Sequence, residues 1–322
     1  MTDLFIPPTE NPLIKAPGAY PDIPGDAYHG AEICPEPSIS SSGLKLIEDR
    51  SAFHYWQQSP LNPNRRPRES RPAFAIGHLL HDVLLYGGAI PSDYHVVPDG
   101  FVRAHSNKWA DELEAYDAAV AEGKNILHQN EFDMVRAMAE SCDRHELATA
   151  LLTAGEPEIT LACQDPKTGR WTRARPDILP TAMEIIPDVK SAVSGHPDDF
   201  ERQATSLGYF QSAAHYLDVL DILFGEAKRQ FVCIVIEKGP ANEKHYPGKT
   251  YPVTIYHLDD GDIQNGRMLN RRALDLFDRC LRTGEWPAYS SPERPILPLL
   301  MTGWARKQIE RRVEAGELSW EM

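Results

Sequence analysis

The sequence is poor in anything that would staple or anchor it. Five cysteines (Cys34, Cys142, Cys163, Cys233 and Cys280) are scattered through 322 residues, an odd number with no C-x-x-C pair. Neither a disulfide framework nor a zinc ribbon is indicated, and buried thiols in a reducing compartment explain the cysteines more simply. No uninterrupted apolar run approaches the roughly 20 residues that span a bilayer. The opening MTDLFIPPTENPLIKAPG has prolines and acids where a secretory leader would carry basic residues and then an apolar stretch. These absences lead to the expectation of a cytosolic, cytoplasmic protein with no membrane partner. Positive charge is also in deficit: 33 Lys and Arg against 47 Asp and Glu leave a formal charge of −14. That balance argues against a uniformly basic coat for nucleic acid. It remains compatible with a local basic groove, or with acids that hold metal ions against phosphate. There is no internal repeat and no low-complexity tract.

What is present is an ordinary globular composition, 42% hydrophobic and 25% charged, long enough for a sizeable core. Residues 1–37 hold eight of the 27 prolines without helical or strand period, so an extended arm is expected there. A main domain over 38–290 and a tail over 291–322, with a basic-acidic helix near 303–316, complete the division. Serines at 38–42 suit a helix start, and Leu44, Ile47, Phe53 and Trp56 recur at helical spacing until Pro60. AFAIGHLLHDVLLY (73–86) reads as a strongly apolar helix with two histidines embedded. Further helices are expected at about 106–122, 128–153, 198–223 and 260–283. Strand patterns fall at 158–164, 171–179, 183–190, 231–238 and 250–258. The order indicates an α/β fold with a central mixed β-sheet flanked by helices.

Asp188-Val189-Lys190 ends a strand-like run, and residues two apart on a strand project from one face. An acid and a lysine therefore point together, and Asp177 lies eleven residues earlier on a neighbouring segment. Carboxylates from adjacent elements can share a hard divalent cation, and a lysine beside them can orient or help deprotonate a water attacking phosphorus. A surface Asp–Lys pair is the plainer alternative for so short a pattern. His81 sits on the apolar helix four residues after Gly77, where an imidazole needs a partner: core hydrogen bonds or a metal. Glu158 opens the first strand and is either solvated or part of the same centre. Arg65, Arg66, Arg68 and Arg71 form a cluster whose geometry suits phosphate oxygens, or else a solvated loop. Arg173 and Arg175 alternate on the strand leading to Asp177, flanking a cleft or ion-paired with the excess acids.

Taken in order, GHLLH, Glu158, RPD, DVK and GYFQSAAHY resemble the motifs of the RecB-like branch of the PD-(D/E)XK nuclease superfamily. Within that branch they are most similar to exonucleases of the RecE (exodeoxyribonuclease VIII) type. ISSSGLKLIEDRSAFHYW, FVCIVIEK and CLRTGEWPAYS fit the same group, so the likeness covers about 38–290. The resemblance implies a PD-(D/E)XK restriction-endonuclease-like core and a Mg²⁺-dependent activity, with Mn²⁺ as a substitute. It makes His81, Asp177, Asp188 and the Val189 carbonyl metal ligands, Lys190 the catalytic lysine, and Glu158 an acid at the edge of the centre. It also implies double-stranded DNA ends as substrate, degraded from the 5′ end to leave single strands for recombination. A ring-shaped homo-oligomer and a single-strand annealing protein are the partners it suggests. One departure concerns the DNA contacts: the family's glutamine lies four residues before its tyrosine, whereas Gln211 lies five before Tyr216, and Ser212 takes the usual place. Residues five apart diverge on a helix, which weakens Gln211 more than Tyr216. Other RecB-like nucleases, endonucleolytic or acting on single strands, share these motifs. A non-catalytic DNA-binding recombination protein on the same fold is the alternative of a different class.

Overall fold

The computed structural model describes residues 9–65, 72–87, 91–104, 108–239, 250–290 and 295–319. The chain begins with β1 (Gly18–Tyr20), α1 (Gly25–Tyr28), β2 (Ser38–Ser40), α2 (Ser41–Asp49), α3 (Ala52–Gln58) and α4 (Pro72–Tyr86). It continues through β3 (Tyr94–Val97), α5 (Ala110–Ala121), β4 (Asn125–His128), α6 (Gln129–Asp143) and α7 (Glu146–Leu152). Next come β5 (Gly155–Pro157), β6 (Thr160–Gln164), β7 (Trp171–Ala174), β8 (Ile178–Pro180) and β9 (Ile185–Ala192). The remainder is α8 (Pro197–Ser206), α9 (Tyr209–Phe224), β10 (Gln230–Glu237), β11 (Val253–His257), α10 (Asp260–Thr283) and α11 (Gly303–Glu314).

Among the described residues the strands form two mixed sheets, β1-β6-β7-β2 and β11-β10-β9, and two pairs, β3-β4 and β5-β8. β9 runs parallel to β10, with Asp188 opposite Cys233 and Lys190 opposite Val235, while β11 is antiparallel to β10. The α/β class with helices flanking mixed sheets therefore stands, but the strands do not join one central sheet. β8 pairs with β5 rather than with β9. Where a ladder between β8 and β9 would begin, the Asp177 carboxylate accepts the Val189 N–H at 2.5 Å.

β10 shows why the helices lie where they do. Its side chains alternate between two apolar layers. Val232, Ile234 and Ile236 join Val189 and the α4 residues Leu79, Leu80 and Val83 in one cluster, together with α6 and α7. Phe231, Cys233 and Val235 join Ile186, Phe200 and the α9 residues Ala213, Leu217 and Leu220 in the other. Each of the valine, leucine, isoleucine and phenylalanine side chains taken fully from water contributes about 1.5–3 kcal/mol. The strand is fixed between helices on both faces, and β9 with it.

Several elements differ from the sequence reading. Residues 9–37 are not simply an extended arm: β1 adds antiparallel to β6, and Ile14, Tyr28, Ile33 and Cys34 are buried against Ala162 and Trp171. The prolines exclude regular helix, but the apolar residues spaced between them supply a buried face. The parallel pair β3–β4 has no counterpart among the expected strands, one member lying before the helix expected at 106–122 and the other just after it, and α5 is confined to Ala110–Ala121. The helix expected over 128–153 is two, α6 and α7, with the His145 side chain capping the second by accepting the Ala148 N–H at 3.3 Å. The one expected over 198–223 breaks at Leu207-Gly208, where Gly208 takes a left-handed φ of 63° that costs glycine little. Residues 1–286 and 287–322 form two units. In the second, α11 starts under a Thr302 cap whose hydroxyl accepts the Ala305 N–H at 3.3 Å. No helix among the described residues is long and apolar enough to cross a membrane.

Candidate active site

The chemistry gathers around the outer edge of β9. Asp188 and Lys190 leave the strand on the face that carries Cys233 and α9, and their side chains form an ion pair. Lys190 Nζ also donates to the Val189 carbonyl at 3.2 Å. Asp177, just before β8, reaches the strand from its free edge through the Val189 N–H. From the opposite face α4 brings His81, whose Nδ1 stands 3.4 Å from Asp177 Oδ1. Three elements thus meet at one strand edge. The apolar α4 packs there because Leu79, Leu80 and Val83 belong to the core beneath.

Burial and neighbouring charge set the protonation states. Burial pushes Asp188 above the usual carboxylate range; the Lys190 ammonium opposes this only in part, and the charge of Asp177 adds to it. Asp177 is held below that range because His81 and Lys190 outweigh its burial. For His81, burial would lower the pKa, but the charge and hydrogen bond of Asp177 hold it above its ordinary value. Lys190 is likewise raised: burial is outweighed by Asp188 and Asp177.

A further acidic layer lies on the α4 side. Glu158 takes a left-handed φ of 47°, a position that costs a non-glycine residue about 1 kcal/mol or more. Its N–H donates to the Asp177 carbonyl at 3.0 Å, and its carboxylate accepts the Tyr86 hydroxyl at 2.8 Å. Burial, then Asp93 and Glu158, push Asp82 up to about 6. Asp82, Glu158 and Asp177 give this side of the site, among the described residues, an acidic character that disfavours a phosphate diester unless positive charge is added.

The donors suit a hard divalent cation in kind: two buried carboxylates, an imidazole and a strand carbonyl. They are not gathered as a ready ligand set. Among the described residues no three His, Cys, Asp or Glu side chains are close enough together to hold a metal ion. Of the expected trio, His81 and Asp177 meet, whereas Asp188 is turned to Lys190. Asp177 is paired with the His81 imidazole and Asp188 with the Lys190 ammonium.

A family model described as a PDDEXK-like domain of unknown function matches residues 40–292. The chain belongs to this family. Nucleases of the PD-(D/E)XK superfamily generally use divalent metals. The fold is shared with a solved structure from Eubacterium rectale titled as a candidate exonuclease, at 13% identity and a TM-score of 0.53, covering 88% of this chain and 97% of that one. A phage-related exonuclease from Haemophilus somnus 129PT matches at 11% identity and a TM-score of 0.29, covering 77% of this chain and 96% of that one. At such identity the first likeness is one of fold, and the second carries no argument. No curated protein matches the sequence.

In this PDDEXK-like chain the expected DNA contacts fare unevenly. Arg173 is 5% exposed; its guanidinium donates to the Ser38 carbonyl at 3.2 Å and to the Ser38 hydroxyl, and lies 5.5 Å from the Tyr28 ring. Arg175 donates to Thr160 Oγ1 at 2.6 and 2.9 Å and to the Ile23 carbonyl at 2.7 Å, 4.3 Å from the same ring. Rather than flanking a DNA path, the two arginines hold the N-terminal segment on the sheet. Gln211 is 4% exposed, and its carbonyl accepts the Asn270 side chain at 2.8 Å. That carbonyl is the backbone one, facing α10, while the side-chain Nε2 is buried and makes no hydrogen bond to the described residues. Tyr216 packs on Phe231 at 6.0 Å, with burial, Tyr28, Asp188 and Asp177 raising its hydroxyl pKa well above the usual value. Arg65 is exposed; Arg66, Arg68 and Arg71 lie outside the described residues.

Three neighbours of Lys190 escape sequence reasoning. Tyr209 presents its ring 5.2 Å from Lys190 Nζ. The Gln203 amide donates to the Tyr209 hydroxyl at 3.2 Å and approaches the Ser191 carbonyl at 3.5 Å. Lys45 donates to the Leu207 carbonyl at 3.1 Å; burial and then the like charge of Lys190 lower its pKa, while Asp188 raises it. Only the glycine before Tyr209, a break signal inside a helical pattern, hints at this corner.

Proposed function

We propose that this PDDEXK-like protein is a Mg²⁺-dependent DNA exonuclease, with Mn²⁺ as a substitute, that degrades duplex ends from the 5′ side. The observation that supports it most is the meeting of Asp177, His81 and the Asp188–Lys190 pair at one strand edge of a nuclease-like fold. A divalent cation held by Asp177, Asp188, His81 and the Val189 carbonyl would offset the excess of acids and the charge on the scissile phosphate. With its pKa raised, Lys190 stays an ammonium at neutral pH. It therefore donates hydrogen bonds to an attacking water or to a phosphate oxygen and takes up no proton. As the water oxygen bonds to phosphorus and gives its proton to bulk solvent, the bond to the 3′ oxygen breaks and that oxygen takes a proton from solvent. Glu158, hydrogen-bonded to Tyr86, stands at the edge of this centre.

Contact with the polyanion is assigned to a local basic strip at Arg65, Arg66, Arg68 and Arg71, with Tyr216 lending its hydroxyl near the carboxylates. Single strands left by such an enzyme suit a single-strand annealing protein, and a homo-oligomeric ring around DNA would supply processivity. The test is digestion in Mg²⁺ of linear, nicked and covalently closed circular DNA, with products sized over time. Loss of linear duplex with sparing of closed circles is the expected result. Cleavage of closed circles would make the protein an endonuclease, and no cleavage in Mg²⁺ or Mn²⁺ would end the nuclease reading.

A further inference from the structure

We infer that Tyr209, held by Gln203, is a positioning residue for Lys190. The inference rests on the nuclease reading and assigns a part of that site that the motifs leave out. Lys190 is a flexible four-carbon chain with three N–H donors. Asp188 and the Val189 carbonyl take two directions, and both belong to the lysine's own strand. An ammonium tied only to its own strand can swing with either neighbour. The Tyr209 ring, 5.2 Å from Nζ, is a partner from a different element, within the range where a ring face attracts a cation.

That ring is itself fixed. The left-handed turn at Gly208 aims the first residue of α9 back towards β9. A Cβ at Gly208 would lie 2.8 Å from Lys45 Cδ, so the Lys45 stem closes over the turn while its amine binds the carbonyl of Leu207, the residue just after α8. Phe200 flanks the tyrosine ring at 6.0 Å. Gln203 binds the tyrosine hydroxyl and approaches the carbonyl of Ser191, the residue after the lysine. One amide thus references the ring to the strand that bears the ammonium. The helix corner sets where the cation sits, and a misplaced catalytic group loses rate without losing substrate.

Three variants and one spectrum test this. Tyr209→Leu removes the ring and is expected to lower kcat about ten-fold with KM for linear duplex DNA changed less than two-fold. Tyr209→Phe keeps the ring and should stay within about three-fold of wild type, and Gln203→Ala should fall between them. In wild-type protein labelled with ¹³C-lysine, the Cε protons of Lys190, assigned by their loss in Lys190→Ala, should be shifted upfield by the ring. Tyr209→Phe keeps that shift and Tyr209→Leu abolishes it. An unshifted Lys190 signal in the wild type overturns the inference even if the leucine variant fails to fold. So does a Tyr209→Leu enzyme with wild-type kcat, or one whose loss lies in KM. A wild-type protein that cuts no DNA would instead overturn the nuclease reading, a result distinct from these.

Discussion

Replacing Lys190 by alanine removes more than the group proposed to act in catalysis. The Asp188 side chain is 9% exposed and has Lys190 as its ion-pair partner, while Asp177 repels it. Breaking a buried pair by deleting one partner costs about 3–5 kcal/mol. At about 2–4 °C per kcal/mol, Tm should fall by about 6–20 °C in EDTA at pH 8. The loss depends on pH with a definite sign. An unfolded aspartate releases its proton near pH 4, whereas folded Asp188 is already raised and rises further without the ammonium. Between those values the folded state holds more protons than the unfolded one. Stability of Lys190→Ala therefore falls as pH rises, by up to about 1.4 kcal/mol per unit, and is recovered towards pH 5. Cleavage in Mg²⁺ should be abolished while duplex affinity in Ca²⁺ is nearly unchanged, because one amine is a small part of a phosphate-contacting surface. A variant that melts within 2 °C of wild type at pH 8, a margin well under the about 6 °C expected, would refute the electrostatic argument. One that cuts at the wild-type rate would refute the assigned centre.

Asp177→Asn should lower the His81 pKa, as followed by the NMR titration of its ring protons. The His81 contribution is complete below about pH 6.5 and lost as pH rises through the raised folded value, and that of Asp177 is present above about pH 4. The stability gap to wild type should therefore be widest near pH 5–6 and narrower at pH 8; a gap that grows towards pH 8 counts against the pair. Arg173→Met should cost about 2–4 kcal/mol in urea unfolding, since Ser38 loses its donor, and leave the salt dependence of DNA binding unchanged. Replacing Arg65, Arg66 and Arg68 together by glutamine should instead flatten the log-affinity against log-salt slope by about two to three units, at about 0.9 per phosphate contact; an unchanged slope places the DNA path elsewhere. Gly266→Ala would put a Cβ 2.5 Å from the Phe210 carbonyl oxygen, which is backbone and cannot yield. A loss of about 2–3 kcal/mol is expected, and a neutral result would contradict the α9–α10 packing.

The sequence disclosed those elements whose periodicity is long and uninterrupted. α4, β10 and α10 fall almost where their apolar patterns place them. The short parallel strands β3 and β4 have no counterpart in the sequence reading, because four residues carry too little pattern to be recognised. Asp188 and Lys190 share a face by strand geometry alone, and Asp177 and His81 were reached through the ordered motifs. What the sequence hid is contact between elements. Arg173 and Arg175 alternate as cleft-lining residues would, yet the N-terminal segment that covers them had been read as an arm. Gln203 and Tyr209 become partners only because the chain turns at Gly208.

Among the described residues β9 is the outermost strand of its sheet, and its outward amide at Val189 is closed off by an acid that also belongs to the proposed metal centre. Exposed strand edges invite pairing with other chains. Losing the Asp177 side chain therefore unplugs an adhesive edge along with removing a ligand of the proposed metal, so an alanine at that position would make a poor control for lost catalysis. Self-association of such a variant would mimic substrate-driven assembly in any binding assay. An asparagine, which still offers a carbonyl oxygen to the amide, keeps the edge closed while altering the charge.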